Sequence, residues 1–408
     1  MSNFNAANEI QDLQYFGEFG GVNPSISDSS TYTFLSAKTM FDTFEGNADG
    51  CYLYSRHSSP MNLYLSQALA RMENTEAANV TASGMGAITS VLMQLCKSGD
   101  HIISSRTIYG GTYAFLKNFL PPFRIETSFV DISNFESVEN AIRPETKIIY
   151  CESVSNPLLE VADLKRLSEI CRKYGLKLVV DNTFSPLSIS PVLSGADVVI
   201  HSLTKFINGS SDTVGGVYCG SQEFINDTKN VNTGACMLLG PTMDSLRASS
   251  ILKNLRTLHI RMKQHSHNAL YLAERFEEDG LKVSYPGLPS HKNHKLMKSM
   301  MHEEYGFGGL LTLDAGTTAK ANELMEMMQR ENLGYLAVSL GFYKTLFSCS
   351  GSSTSSEIPE DERTAMGISD GLIRFSIGLD HDIKRTYEKM RECMLKTGIL
   401  SHKTISIS

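Results

Sequence analysis

A chain of 408 residues is long enough for two or three domains and buries enough apolar surface to need no disulfide staples. At 41% hydrophobic and 20% charged it reads as an ordinary soluble globular protein, and a formal charge of −7 lacks the basic excess that a general nucleic-acid surface requires. The eight cysteines stand singly without a C-x-x-C pair, "MSNFNAANEIQDLQ" has no signal-type apolar core, and no apolar run reaches membrane-spanning length, so the expectation is a reduced, cytoplasmic protein with no membrane partner.

Residues 1 to about 55 show no clear period but carry aromatics, as in "YTFLSAKTMFDTF", which predicts an arm that wraps another surface. "SSPMNLYLSQALARMEN" then offers a serine cap, Pro60 at the first helical position and apolar residues at helical spacing. "AITSVLMQLCKSGD" reads as a second helix closed by Gly99. Short β-rich runs come next ("DHIISS", "RIETSFV", "KIIYCES", "LKLVVDN", "ADVVIHS"), with the amphipathic "ADLKRLSEICRKYG" between two of them, ended by Gly175. Strands alternating with helices, and apolar without interruption, predict a parallel sheet covered on both faces. "VGGVYCG" reads as an antiparallel addition to it. A helical region from Pro241 to Glu278 links this domain to a smaller α+β unit containing "GFGGLLTLDAG", "KANELMEMMQREN", "LAVSLG", "GLIRFSIGLD" and a last helix. His291, His294 and His302 read as solvated residues of a charged segment, and no metal site is expected.

In an open parallel sheet, ligands bind beyond the carboxyl ends of the strands. "LKLVV" ends in Asp181, "KIIYC" in Glu152, and "VVIHS" runs into Ser202, Thr204 and Lys205. Singly, each has a plain explanation: a solvated lysine, a turn aspartate continued by Asn182 and Thr183, hydroxyls that cap the next segment. Together they suit one cofactor. A lysine amine that sheds its proton near neutral pH forms a Schiff base with an aldehyde, and pyridoxal phosphate (PLP) is the aldehyde for which the other groups make sense. Asp181 is the candidate acidic partner of its pyridine nitrogen. Its phosphate calls for helix-start N–H groups, as in "SGMGAI", and for hydroxyls such as those of Ser202 and Thr204. The rival reading of "SGMGAI" is a dinucleotide loop, since Gly84-x-Gly86 begins a G-x-G pattern. Its third glycine is missing, position 89 being Thr89, and two glycines alone decide for neither.

Taken as a set, "YLYSRHSSPMN", "ASGMGAI", "IYGGTYAFL", "ESVSNP", "VVDNTFSP", "ADVVIHSLTKFINGSSD", "LAVSLG" and "ISDGLIRFSIGLD" resemble the Cys/Met-metabolism family of PLP enzymes, in order and over nearly the whole chain. The pattern is most similar to its methionine γ-lyase and cystathionine γ-lyase members. The resemblance implies an α/β fold of the aspartate-aminotransferase type (fold type I). It implies a mostly parallel seven-stranded sheet domain, a smaller C-terminal α+β domain, and a homotetramer built from active dimers. The corresponding divisions are an arm contacting the neighbouring subunit (1–58), a PLP-binding large domain (59–258) and a small domain (259–408).

Residue by residue, the resemblance implies that Lys205 holds the cofactor and shuttles protons, that Asp181 pairs with the pyridine nitrogen, and that Tyr109 stacks on the ring and assists acid–base steps. Gly84, Met85, Thr183, Ser202 and Thr204 would complete the cofactor site, joined by Tyr54 and Arg56 from the neighbouring subunit. Arg374 would clamp the substrate carboxylate with help from Asn156 and Ser339. An arginine inside an apolar strand pattern asks for a partner in any case.

These residues do not separate elimination from replacement. Val338 stands where related cystathionine enzymes often carry an acidic residue, which favours an uncharged thioether. Gly111, Asn230 and Val231 depart from the methionine γ-lyase pattern, and Ser210, Ser211, Thr354 and Ser355 from the frequent pattern of the family. The expectation is a PLP-dependent carbon–sulfur lyase, with O-acetylhomoserine sulfhydrylase or cystathionine γ-synthase activity as the alternative. Two readings from other classes remain, a Rossmann-type oxidoreductase using "SGMGA" and a catalytically silent binding scaffold.

Overall fold

The computed structural model describes residues 4–15, 20–48, 50–349 and 367–401. Seven strands form the larger sheet: β1 (Ala77–Thr81), β2 (His101–Ser105), β3 (Glu126–Val130), β4 (Thr146–Glu152), β5 (Lys177–Asp181), β6 (Val198–Ser202) and β7 (Gly216–Gly220). Their order is β1-β7-β6-β5-β4-β2-β3, and β7 alone runs against its neighbours. "VGGVYCG" is thus the expected antiparallel addition, and "AANVT" becomes an edge strand beside it.

The uninterrupted apolar runs result from burial on both faces. Ile149, Cys151, Val180 and Val199 enter the core on one side, and Ile148, Tyr150, Val179 and Ile200 enter the core on the other. Helix Pro60–Met72 starts as its sequence dictates: the Ser59 hydroxyl accepts from Asn62 N–H at 3.3 Å, Pro60 is next, and Leu65, Leu69 and Met72 face the core. Helix Leu164–Tyr174 ends on Gly175 at φ 69°, the left-handed conformation glycine adopts without strain.

A second sheet, β8 (Val283–Ser284), β9 (Leu310–Asp314), β10 (Tyr335–Leu336), β11 (Leu346–Cys349) and β12 (Leu372–Ser376), has the order β10-β11-β12-β9-β8. Ile373 and Phe375 point into its own core, so the alternation of a strand turns Arg374 to the opposite face. Helix Leu258–Glu278 joins the two halves, with Leu258 and Met262 in the first core and Leu272 and Phe276 in the second.

Several expectations change in detail. The helix ending near Gly99 stops at Leu95, because Cys96 is already extended. The helical region 241–278 is two helices, Ser245–Leu255 and Leu258–Glu278. "LAVSLG" leaves strand geometry after Leu336. Part of the arm packs on its own chain: helix Ala6–Gln11 buries Ala6 and Ile10, and Tyr15 lies 4.8 Å from Tyr64 between ring centres. The three histidines are half-buried rather than fully solvated. Burial holds the His291 imidazole down at about 4, His294 stacks on Phe307, and His302 packs on Tyr305. Among the described residues no cluster suits a metal ion, and no helix is long and apolar enough to cross a membrane.

Candidate active site

The parallel strands bring their last residues to one crest. Glu152 of β4 is level with Asp181 of β5, and Asp181 with Ile200 of β6. Counting by twos from the apolar residues beneath them, Glu152, Asp181 and Ser202 share one face. Beyond Ser202 the chain turns through Lys205. Arg261 holds that turn by donating to the carbonyls of Phe206 and Ile207, the second at 2.8 Å.

Above the crest lies a cavity of about 240 Å³, walled by both sheets. Lys205 Nζ donates to Ser339 Oγ at 3.2 Å. Burial, helped by the Arg374 charge, lowers the ammonium from its ordinary 10.5 to about 8. Arg374 crosses from β12 into this cavity, where its Nη1 donates to Asn156 Oδ1 at 3.1 Å and its Nη2 to the carbonyls of Val338 and Ser339 at 3.2 and 3.4 Å. Its Nε is buried with no hydrogen-bond partner among the described residues. Burial brings this guanidinium down to about 10, against the pull of Glu152. A buried arginine with an idle donor on a cavity wall is a site for a carboxylate.

The opposite wall is the start of helix Gly84–Leu95. Ser83 Oγ takes the Gly86 N–H at 2.9 Å, while the Gly84 and Met85 N–H groups have no acceptor within the helix. A Cβ on Gly84 would stand 2.9 Å from Ser202 Cβ, so only glycine lets this helix end approach β6 so closely. Thr183 fastens the neighbouring strand ends: its Oγ1 accepts from Ser202 N–H at 2.8 Å, and its own N–H donates to Asp181 Oδ1 at 2.9 Å. Thr204 Oγ1 accepts from Gly215 N–H at 3.1 Å. Burial pushes the Asp181 carboxyl above its ordinary range despite the Thr183 hydrogen bonds, a state that a cationic partner would relieve.

Tyr109 closes the third side, half-exposed at the head of helix Gly110–Ala114. Its ring lies over Gly111, where a Cβ would fall 2.6 Å from Tyr109 Cε1. The structure therefore gathers Lys205, Asp181, Tyr109, Gly84, Met85, Thr183, Ser202, Thr204, Asn156 and Arg374 around one cavity, with Ser339 bonded to Lys205 at its edge. Tyr54 and Arg56 are not among its walls. Arg56 donates to Met237 O at 3.0 Å and lies over the Tyr54 ring at 5.9 Å. Sequence reasoning gave no role to Glu152, which accepts two backbone N–H groups here, nor to the apolar lining residues Val154 and Phe184. A carboxylate ending a buried strand was the available signal for Glu152. The segment "GSSTSSEIPEDE", with Thr354 and Ser355, lies outside the described residues.

Comparison with known proteins shows the family to which the chain belongs. The family model for "Cys/Met metabolism PLP-dependent enzyme" matches residues 7–386. The chain belongs to that family. It is 46% identical to a methionine γ-lyase of Arabidopsis thaliana over 93% of this chain and 88% of that protein. It is 38% identical to a cystathionine γ-lyase of Bacillus subtilis over 81% and 85% of the respective lengths. Among solved structures it resembles a Campylobacter jejuni protein described as an O-acetylhomoserine (thiol)-lyase, which carries N′-pyridoxyl-lysine-5′-monophosphate. The TM-score is 0.88 at 29% identity, covering 96% of this chain and 100% of that one. The fold is thus that of the fold type I PLP enzymes, the cofactor is PLP, and the dinucleotide reading of "SGMGA" falls away. The cavity fits such a group. It offers a lysine held near 8, a buried carboxyl raised by burial, and a glycine-only approach of a helix start to Ser202.

Proposed function

We propose that this enzyme is a carbon–sulfur lyase that converts a methionine-like or cystathionine-like amino acid and one water to a 2-oxo acid, ammonia and a thiol. The observation that carries this reading is the bridge at Ser339. Its hydroxyl accepts from Lys205 Nζ at 3.2 Å, and its carbonyl accepts from Arg374 Nη2 at 3.4 Å. A base and a carboxylate clamp thereby adjoin, as a reaction at the α-carbon of an amino acid requires.

In this reading Lys205 would hold PLP, Asp181 would pair with its pyridine nitrogen, Tyr109 would cover its ring, and Gly84, Met85, Ser202 and Thr204 would bind its phosphate, with Thr183 steadying Asp181 and Ser202. Bound there, PLP supplies an electron sink that acidifies the substrate's α-proton. Arg374 and Asn156 orient the substrate carboxylate, and the idle Nε of Arg374 is the donor awaiting it. Lys205 Nζ, once freed by the substrate amine, would take the α-proton and return it further along the side chain, the burial that lowers its ammonium to about 8 favouring the neutral amine. The Tyr109 hydroxyl protonates the departing sulfur. Val154, Phe184, Val214, Val338 and Leu340 give the cavity an apolar lining suited to an uncharged thioether.

The arm, large and small domains are assigned to 1–58, 59–258 and 259–408. The active unit is a dimer within a homotetramer, in which the arm brings Tyr54 and Arg56 to the neighbouring cavity. Helix Ala37–Phe44 supports this, since it buries no residue and leaves Leu35, Phe41 and Phe44 uncovered. Eight free cysteines support a reducing, cytoplasmic location.

Replacement at the γ-carbon remains the second reading, because the Campylobacter jejuni protein described as an O-acetylhomoserine (thiol)-lyase has so similar a fold. A substrate panel tests both. Methionine, cysteine, homocysteine, cystathionine, and O-acetylhomoserine with sulfide are each assayed for 2-oxo acid, thiol and new amino acid. The expected result is 2-oxo acid and thiol from methionine or cystathionine alone. Product formed only when O-acetylhomoserine and sulfide are supplied together overturns the lyase reading, and no product from any member makes the chain a silent scaffold.

A further inference from the structure

Glu152 is 6% exposed at the end of β4, beside the carboxyl of Asp181. Burial, and then the neighbouring Asp181 carboxyl, raise Glu152 to about 8, so an acidic group kept here at that cost needs a reason that an amide or apolar residue would not meet. The geometry supplies one. Glu152 Oε1 accepts the Tyr109 N–H at 2.7 Å and Oε2 accepts the Asn156 N–H at 2.9 Å. Tyr109 heads the helix after β2, whereas Asn156 lies in the turn after β4 and takes a hydrogen bond from Arg374. One side chain thus ties two loops that no strand pairing joins at this point.

We infer that Glu152 is a positioning residue that holds Tyr109 and the Asn156–Arg374 pair in register, so that the ring-covering tyrosine and the carboxylate clamp act as one unit. This rests on the reading of Tyr109 and Arg374 given above. Both oxygens are required. A glutamine at this position has one acceptor and would set its NH2 against the second N–H, and an aspartate is one methylene too short to reach both loops.

The test uses the purified holoenzyme, wild type and Glu152→Gln, with Glu152→Asp as the second variant. Glycine, which carries an α-carboxylate, and methylamine, which does not, are titrated against the cofactor's absorbance. Thermal melting with and without PLP reports folding. Positioning predicts that either variant weakens glycine about tenfold while leaving methylamine within about twofold, in a protein that still melts cooperatively with and without PLP. Combining Glu152→Gln with Tyr109→Phe should lower kcat by less than the product of the single losses, because the two act through one arrangement. Equal weakening of both probes, glycine binding within about twofold of wild type, or fully multiplicative losses in kcat each overturn the inference. A wild-type holoenzyme that responds to methylamine but not to glycine would remove the reading of Arg374 and the inference with it, which separates the two failures.

Discussion

At the scale of single residues the site is a matter of where charge is tolerated. Lys205 is an ammonium that burial and the Arg374 charge bring from 10.5 to about 8. Acetylation of the apoprotein with acetic anhydride, read by mass spectrometry across pH, should therefore give a midpoint near 8 for Lys205. Arg374→Leu removes the smaller of the two causes, so the midpoint should rise while staying below 10.5. The same shift has a stability consequence. The folded state disfavours the charged lysine, so its cost is fully present below pH 8 and disappears as pH rises from 8 to 10.5. Lys205→Met apoprotein should accordingly melt roughly 3 °C above wild type at pH 7, an advantage that shrinks through that window. A midpoint at the ordinary lysine value, or a pH-independent advantage, contradicts the assignment. Lys205, Asp181 and Ser202 were legible in the sequence because a polar residue that ends an apolar run must sit at the rim of a parallel sheet. Glu152 showed the same signal without its role, since its partners are backbone N–H groups from distant loops, which no side-chain pattern reveals.

Among the elements, the start of helix Gly84–Leu95 carries a tight steric demand on the cofactor wall. Gly84→Ala places a methyl group 2.9 Å from Ser202 Cβ and must push the helix end off β6. The expected outcome is an affinity for PLP weakened about tenfold or more, measured by titrating apoprotein with PLP, with the backbone fold retained. Ser83→Ala instead removes a cap worth about 1 kcal/mol of stability, and it should lower the melting temperature more than the PLP affinity. Equal affinity in Gly84→Ala and wild type would show that the phosphate sits elsewhere. The helix was legible from "SGMGAI" because glycines and a serine before an apolar run mark a start. Its end was misplaced, because Cys96 turns extended three residues before the glycine that looked like the stop signal. The break between Leu255 and Leu258 was equally hidden, for no proline or glycine marks it. Only the first residue of "LAVSLG" lies in a strand, and the rest bends to bring Ser339 to Lys205, a bend that no glycine or proline before Gly341 marks.

For the whole molecule, the cavity exists because two sheets with separate cores face each other across Arg374. Alternation along β12 sends Ile373 and Phe375 into one half and the arginine toward the other. That division was visible in the sequence as a long helical region followed by a smaller α+β unit. What the chain does with its arm was visible only as an unsatisfied composition. Phe41 is 62% and Phe44 67% exposed on a helix that buries nothing, while Tyr54 and Arg56 stand apart from their own chain's cavity. Exposed aromatic rings of this size mark a surface made for covering, and the proposed dimer would bring the two phosphate-binding candidates, outside their own cavity, to a neighbouring one. Replacing Phe41 and Phe44 together with glutamate should therefore shift the protein toward monomer in sedimentation. It should also lower specific activity in step with the monomer fraction, so that activity per chain recovers as protein concentration rises. Tyr54→Phe and Arg56→Ala should leave the oligomer intact and weaken PLP binding alone. If the glutamate pair yields monomers of undiminished activity at every dilution, each chain completes its own site and the arm serves assembly without chemistry.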